Sequence, residues 1–199
     1  MMYEQSRAFA QRYFQEHLQD RSHLLFHDWQ HTLNVVAAAR LILDHSSEYT
    51  EAQTHEAILT AAWFHDLGYG AGPSGHEARG AALARSFLEM IPKDEAFIEQ
   101  VESCILATRI PHQPQSFAEM VLCDADLAHL AAEDYFTSAE QLRRELEYHR
   151  QQPITPEDWL REGVRFFQSH QYFTPFGKTH LAAGKQKNLL RIQAKLQAG

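Results

Sequence analysis

Residues 57–68 read Ala57-Ile58-Leu59-Thr60-Ala61-Ala62-Trp63-Phe64-His65-Asp66-Leu67-Gly68. The segment is an apolar run of helical length that ends in a histidine beside an aspartate. Both of these side chains are costly to bury unless each has a partner. A divalent metal ion would satisfy both together, so the segment predicts a buried helix that ends at a metal site.

The length of the chain bounds its organisation. Its 199 residues are enough for one substantial hydrophobic core, and no long linker or internal repeat divides them. The sequence therefore predicts one domain over residues 1–199. We expect the core motifs in residues 20–130 and C-terminal helices in residues 138–197 that pack on them.

The charge of the chain limits its partners. The formal net charge is −8, and nucleic acids and anionic membranes need a basic face, so neither is expected to bind. A small phosphorylated molecule needs only a local site and remains the expected partner. Cys104 and Cys123 fit no disulfide or zinc-finger spacing, which predicts reduced thiols. Residues 1–7 hold no apolar signal core, so we expect a cytoplasmic location.

Hydrophobic periodicity and capping signals predict helices almost throughout. Asp28, Ser116 and Thr155 each stand where a side chain can cap a helix, and Ser138 begins a second capping-box pattern. No segment alternates with the period of a strand. The predicted helices cover residues 3–19, 28–44, 51–67, 76–91, 94–110, 116–126, 138–151, a stretch from 155 onward and 178–199.

Two histidines fall on the apolar stripes of their predicted helices. His31 shares a stripe with Val35 and Ile42, and His65 shares one with Ile58 and Ala61. Inward histidines on neighbouring helices are how helical bundles build metal sites. A carboxylate in residues 124–126 would add to them. Mixed imidazole and carboxylate ligation suits a catalytic divalent ion, because it leaves positions open for water and substrate.

Six stretches carry a resemblance to a known family. They are Phe26-His27-Asp28-Trp29-Gln30-His31-Thr32, Ala61-Ala62-Trp63-Phe64-His65-Asp66-Leu67-Gly68-Tyr69, Gly75-His76-Glu77, Leu122-Cys123-Asp124-Ala125-Asp126-Leu127, Leu142-Arg143-Arg144-Glu145-Leu146 and His170-Gln171-Tyr172-Phe173-Thr174. The chain resembles the HD-domain superfamily of metal-dependent phosphohydrolases, and more narrowly its small stand-alone bacterial members. The resemblance implies a compact all-α bundle of the HD type.

The same resemblance implies a ligand set of His31, His65, Asp66 and one later aspartate. Relatives carry that aspartate after a small apolar residue, a pattern that maps onto Asp126. Asp124 is the second choice, as a partner of a ligating histidine. The set predicts one divalent ion, and it does not distinguish manganese, nickel, cobalt, iron, magnesium and zinc.

Further histidines extend the expected site. Some HD proteins hold two metals, so His76 and His112 leave a second ion open. We expect Asp66 to orient the attacking water besides ligating the metal. His76 and Glu77 are the other catalytic candidates, with Glu77 as a general acid or base.

Other side chains are candidates for the walls of a pocket. His27 is one helical turn before His31 and is expected at the pocket mouth. Arg79, Arg109 and Lys178 are candidates for contact with phosphate. An aromatic group has two interpretations, a wall that binds a base or plain core packing. Its members are Phe166, Phe167, Tyr172, Phe173 and Phe176.

The expected function is metal-dependent hydrolysis of a phosphoester or phosphoanhydride in a small molecule, with a nucleotide favoured. Leu67-Gly68-Tyr69-Gly70 follows the His-Asp pair where some relatives carry acidic residues, which counts against alarmone hydrolysis. Two alternatives stay open. One is an HD-type di-iron oxygenase, and the other is a non-catalytic, metal-stabilised nucleotide-binding protein. A homodimer also remains open.

Overall fold

The computed structural model describes residues 2–46 and 51–198, and these residues form helices and no β-strand. The predicted all-α fold is therefore confirmed. Met1, residues 47–50 and Gly199, which the predicted domain includes, lie outside the described residues. The α-helices are α1 (Met2–His17), α2 (Trp29–Asp44), α3 (Ala52–Phe64), α4 (His76–Leu88), α5 (Glu95–Ala107), α6 (Phe117–Asp126), α7 (Tyr135–Arg150), α8 (Pro156–Ser169) and α9 (Ala182–Ala198).

Local capping explains where four of these helices begin. The side chains of Asp28, Asp94, Ser116 and Thr155 each accept a hydrogen bond from the backbone N–H three residues later, at 2.8–3.2 Å. Such bonds satisfy N–H groups that have no partner inside the helix. The starts predicted at Asp28, Ser116 and Thr155 are confirmed.

The capping box predicted at Ser138 is wrong. Helix α7 begins three residues earlier, at Tyr135, and no side chain caps it. Tyr135 is buried edge-on against Phe167, with ring centroids 5.0 Å apart. This packing holds the extra turn in helical form, which leaves Ser138 inside the helix.

Several other boundaries differ from the prediction by a few residues, and at two of them the chain takes another helical form. Helix α3 ends at Phe64, and the chain continues as a 3₁₀ turn over Leu67–Ala71. The last helix begins at Ala182, because the preceding Gly177–Leu181 is π-helical. The first difference places His65 and Asp66 at a change of direction in the chain.

Helix α3 lies at the centre of the main core. It packs against α1, α2, α4, α5 and α6, and its side chains are buried on nearly every face. Trp63 and Phe64 are among the largest fully buried side chains. A helix that is apolar all round belongs inside a protein, and this one carries His65 with it. No helix of the described residues is long and apolar enough to cross a membrane.

The C-terminal helices build a second group of buried side chains, formed by Leu127, Leu130, Tyr135, Ala139, Phe167, Leu189 and Ile192. Helix α9 is tied to the 3₁₀ turn after α6 (Leu127–Ala131), because Asn188 Nδ2 donates to the carbonyls of Leu130 at 2.9 Å and Ala132 at 2.8 Å. The grouping of both cores into one domain stays a prediction.

A glycine allows α4 to approach the end of α3. A Cβ atom on Gly80 would lie 2.8 Å from the carbonyl oxygen of Phe64 and 2.9 Å from that of His65. Both oxygens belong to the backbone and cannot swing aside. The position of α4 against the His65-Asp66 junction therefore depends on the missing side chain.

We expect Gly80→Ala to lower the free energy of unfolding by about 2 kcal/mol, because backbone must shift to admit the methyl group. The matched control is Gly163→Ala in α8, where the nearest atom to a new Cβ is 3.8 Å away. That change should stabilise the protein by roughly 0.5 kcal/mol through helix propensity. Urea unfolding measures both, and equal stability of the two variants would contradict the packing argument.

Candidate metal centre

Four side chains from three separate parts of the chain converge at the end of α3. They are His31, His65, Asp66 and Asp126, and one ligand atom of each lies within 4.8 Å of the others. His31 comes from the first turn of α2, and Asp126 is the last residue of α6. The sequence placed these residues in one site, and the structure brings them together.

The distances within this four-residue cluster are short. Nε2 of His65 lies 3.0 Å from Asp66 Oδ2, and Nε2 of His31 lies 3.2 Å from the same oxygen. Asp126 Oδ1 is 3.3 Å from His31 Nε2 and 3.7 Å from His65 Nε2. The two Nε2 atoms are 3.5 Å apart. Two imidazole nitrogens and two carboxylate oxygens therefore surround one small volume.

Hydrogen bonds outside the cluster aim its histidines. Nδ1 of His65 donates to the carbonyl of Ala62 at 2.9 Å, which directs Nε2 inward. The Asp28 cap fixes the backbone of His31, whose ring packs on Phe26 with centroids 4.7 Å apart. Such partners hold the tautomer and orientation of a metal-ligating imidazole.

The cluster fits a divalent cation. Asp66 Oδ2 is buried without a hydrogen-bond partner, although two imidazole nitrogens lie close to it. A buried carboxylate oxygen in that position is costly unless a positive charge meets it. Two imidazoles and two carboxylates are also a donor set that manganese, iron, cobalt, nickel and zinc accept.

The electrostatics of the cluster favour positive charge at its centre. Burial alone lowers the pKa of His31, but the carboxylates of Asp126 and Asp66 beside its ring outweigh it and raise this pKa to about 10. Burial raises the pKa of Asp126, yet the bond to His31 and the charge of His65 bring it down to about 2. The carboxylates thus stay ionised and attract either protons on the imidazoles or a metal cation.

A cavity of about 480 Å³ opens beside the cluster. Asp66 and Asp126 form part of its wall, together with His27, Tyr69 and His76. Helices α7 and α8 form another side of the cavity. This volume lies in the range of small-molecule sites.

A family model for the HD domain matches residues 28–132, which is more than half of the chain. The chain belongs to the HD-domain family. A search of curated proteins finds no match for it. The family consists mostly of metal-dependent hydrolases, and HD domains bind divalent metals. The four-residue cluster lies wholly inside the matched region.

In this HD protein, Asp124 serves a different purpose from Asp126. Its carboxylate accepts hydrogen bonds from the backbone of Phe173 at 2.8 Å and of Thr174 at 2.9 Å, and from Thr174 Oγ1 at 2.7 Å. It therefore ties α6 to the segment before α9. The structure places Asp126 in the cluster and Asp124 outside it, bonded to neither ligating histidine in the described contacts.

Of the two further histidines expected at the site, His76 lies next to the cluster and His112 does not. His76 Nε2 lies 3.3 Å from Asp66 Oδ1, and its Nδ1 donates to the carbonyl of Pro73 at 2.8 Å. Burial lowers the pKa of His76, but the bond to Asp66 outweighs it and raises this pKa to about 9. Glu77 is buried and lines the cavity. His112 lies outside the cluster, with Nε2 donating to the carbonyl of Thr108 at 3.0 Å.

His27 is held by Glu145, a member of one of the stretches that carry the resemblance, to which the sequence assigned no role. The buried carboxylate of Glu145 in α7 accepts from the backbone N–H of Phe26 at 2.9 Å and of His27 at 3.2 Å, and it contacts His27 Nδ1. The ring of Tyr69 stacks on His27 with centroids 3.8 Å apart. His27 lines the cavity, as expected for a residue at a pocket mouth.

His129 is a further neighbour that the sequence did not single out. Burial lowers its pKa to about 4, and Nδ1 donates to the carbonyl of Asp126 at 3.0 Å. It lines the cavity beside Asp126 as a neutral imidazole. Because His129 lies about one helical turn after Asp126, the sequence could have predicted that it lies near the cluster.

The cations expected at phosphate are not the ones that line the cavity. Arg79 donates to the carbonyls of Gly68 at 2.8 Å and Ser74 at 2.7 Å and also to Gly72, so it holds together the glycine-rich loop of residues 68–75. Arg109 and Lys178 are exposed and outside the cavity lining. Arg150, which sequence reasoning missed, does line it.

The expected aromatic group divides in two. Phe166 and Phe167 line the cavity. Phe176 packs in the main core, and the hydroxyl of Tyr172 donates to the carbonyl of Leu127 at 3.1 Å. Phe173 lies beside His112, with ring centroids 6.4 Å apart. The aromatic wall thus consists of the members from α8.

We expect Asp126→Asn and Asp124→Asn to separate metal binding from stability. Loss of the Asp126 charge should lower the manganese bound per chain by about tenfold or more. Asp124→Asn should keep the metal and cost roughly 2 kcal/mol of stability, since an amide cannot accept all three bonds. Elemental analysis after dialysis and urea unfolding measure the two effects. The reverse pattern would make Asp124 the ligand.

Proposed function

We propose that this HD protein is a phosphohydrolase that cleaves a phosphoester or phosphoanhydride of a small molecule, with nucleotides as the favoured class. The observation that carries the proposal is the four-residue cluster at the wall of a cavity of about 480 Å³. A structural metal site would be closed by protein on all sides, whereas a catalytic site keeps access for water and substrate.

Asp66 is the residue on which the proposed chemistry depends. Its Oδ2 faces both histidines of the cluster, while its Oδ1 faces His76. The carboxylate can therefore hold the metal with one oxygen and orient a water with the other. A divalent ion bound there supplies a lowered pKa for that water and polarises a phosphoryl oxygen.

His76 and Glu77 are proposed to act from the first turn of α4. The bond from His76 Nδ1 to Pro73 fixes the ring, so Nε2 is directed at Asp66 and the cavity. Glu77 Oε2 lies 3.8 Å from His76 Nδ1 and lines the same cavity. We assign His76 to positioning of the attacking water and Glu77 to proton transfer at the leaving group.

The oxygenase alternative needs a wider ligand set. Two iron ions would take as ligands the four residues of the cluster together with His76 and His112. The structure brings His76 to Asp66, but His112 bonds to the carbonyl of Thr108 instead. The hydrolytic proposal uses only residues that meet in the structure, and for that reason we favour it.

The class of partner, the cellular location and the oligomeric state stay predictions from the sequence. The net charge of −8 supports a small-molecule substrate in preference to nucleic acid or a membrane surface. A cytoplasmic location stays an expectation, and a homodimer stays open. The identity of the ion, and a second ion near His76, are decided by elemental analysis of the purified protein.

We expect protein loaded with manganese, nickel or cobalt to release phosphate from a panel of phosphate esters and nucleotides. Chelation should abolish the release. His65→Ala and Asp66→Ala should each lower kcat/KM by more than about 100-fold, the upper end of what residues behind a ligand cost. Phosphate release and metal content are measured on the same samples.

The matched control is His17→Ala, which removes a histidine that is about half exposed, at 54%, and lies outside the cavity lining. It should keep full activity. Wild-type rates in His65→Ala would overturn hydrolysis at this site. Consumption of oxygen by an iron-loaded protein would favour the oxygenase, and tight nucleotide binding without turnover would favour the non-catalytic alternative.

A further inference from the structure

The cavity beside the metal centre has an apolar side that the proposed chemistry does not use. On α7, Leu142 and Leu146 lie one turn apart and line it, and on α8, Trp159, Phe166 and Phe167 do so. Leu127 and Leu130 of the turn after α6 complete this apolar wall, which we define by these seven residues. The wall begins next to Asp126, so a molecule that reaches the metal centre through this cavity can contact the wall.

Lysine and arginine side chains are scarce in the same cavity, and its His76 is already paired with Asp66 Oδ1 at 3.3 Å. Among the described residues that line it, Arg150 is the only lysine or arginine. Its side chain is 50% exposed and lies 4.0 Å from Glu162, which also lines the cavity. Asp66, Asp126 and Glu77 contribute three more carboxylates. A divalent ion between the two aspartates cancels their charge and leaves little for a substrate with several phosphates.

The glycine-rich loop does not bring a free guanidinium to the cavity. Arg79 donates through all three of its nitrogens to loop carbonyls and lies outside the cavity lining. A chain of phosphates carries a charge that proteins usually meet with several free arginines, lysines or backbone N–H groups. One phosphate, by contrast, is met by the metal centre itself.

The second cavity at the cluster has a different character. It holds about 430 Å³ and touches the metal centre through His31 and Asp126. Its lining includes the amides of Gln30, Asn34 and Gln141 and the carboxylate of Asp134. Such a surface suits water and small polar species, so an apolar substrate belongs on the side of α7 and α8.

We propose that the substrate is a phosphomonoester in which a single phosphate is joined to a flat apolar or aromatic body that lies against the apolar wall. This inference rests on the proposed function and narrows it to monophosphates. Water adds to phosphorus, the bond between phosphorus and the ester oxygen breaks, and the alcohol leaves with one proton. The products are inorganic phosphate and the apolar alcohol.

Three probes test the inference. They are 3-phenylpropyl phosphate, glycerol 3-phosphate and 3-phenylpropyl diphosphate. Two of them are monophosphates of a primary alcohol, and two of them share the phenylpropyl body. With the manganese-loaded protein, kcat/KM for phenylpropyl phosphate should exceed that for glycerol 3-phosphate by about tenfold or more, as expected for burial of a phenyl group. It should also exceed that for the diphosphate, because the cavity has few cations to meet a second phosphate. A preference for glycerol 3-phosphate or for the diphosphate would overturn the inference and leave hydrolysis intact.

Variants of the apolar wall provide the second arm. Leu142→Gln and Leu146→Gln should each lower the ratio of kcat/KM for phenylpropyl phosphate over glycerol 3-phosphate by about tenfold. The matched control is Leu190→Gln on α9, where the leucine is 57% exposed and outside the cavity lining. It should leave both rates as they are. An unchanged ratio in both wall variants would contradict the assignment.

Binding separates this inference from the proposed hydrolysis. Trp159 lies in the wall, so 3-phenylpropanol, the alcohol product that needs no metal to bind, should change the tryptophan fluorescence of chelator-treated protein, in which no turnover occurs. If no phosphate ester is hydrolysed, weaker binding in Leu146→Gln than in Leu190→Gln still supports the apolar site. Equal binding in those two variants overturns it.

Discussion

The rest of the structure depends on the junction at the end of α3, where the buried apolar half of the helix is followed at once by two ionisable side chains. His65 is wholly buried and Asp66 nearly so. Neither can be left without a partner at that depth. The partners come from the first turn of α2 and the last turn of α6, so pairing of charges fixes how three helices meet. The residues that pair there are also the four that can bind a cation, so the same contacts hold the helices together and form the metal centre.

The wall of the cavity is coupled to this junction through one carboxylate. Glu145 on α7 is fully buried and accepts from the backbone at Phe26 and His27, directly before the helix that carries His31. Other side chains of the same helix, such as Leu142 and Leu146, line the cavity. Because a buried carboxylate is costly when its partners are lost, α7 cannot move away from the metal centre without breaking these bonds. The apolar wall is therefore held in a set position relative to the metal centre.

Local signals made part of this predictable from the sequence. The caps at Asp28 and Ser116 act within a few residues, so the helix starts followed directly. The capping box at Ser138 failed because burial of Tyr135, a tertiary contact, lengthened the helix. Whether Asp124 or Asp126 enters the cluster depends on which face of α6 meets α2, and spacing alone did not decide that. The role of Arg79 was hidden for a similar reason, since it follows from the path of a loop.

Membership of the HD family accounts for the chemistry more fully than for the substrate. The matched region ends at residue 132 and contains every member of the metal cluster. The apolar wall is built largely from α7 and α8, which follow that region in the chain. The residues of the metal cluster and the apolar wall built by later helices are separate parts of the molecule, although Glu145 ties them together. A change in the C-terminal helices can therefore alter which molecule fits the cavity, while the four-residue cluster at the ends of α2, α3 and α6 stays the same.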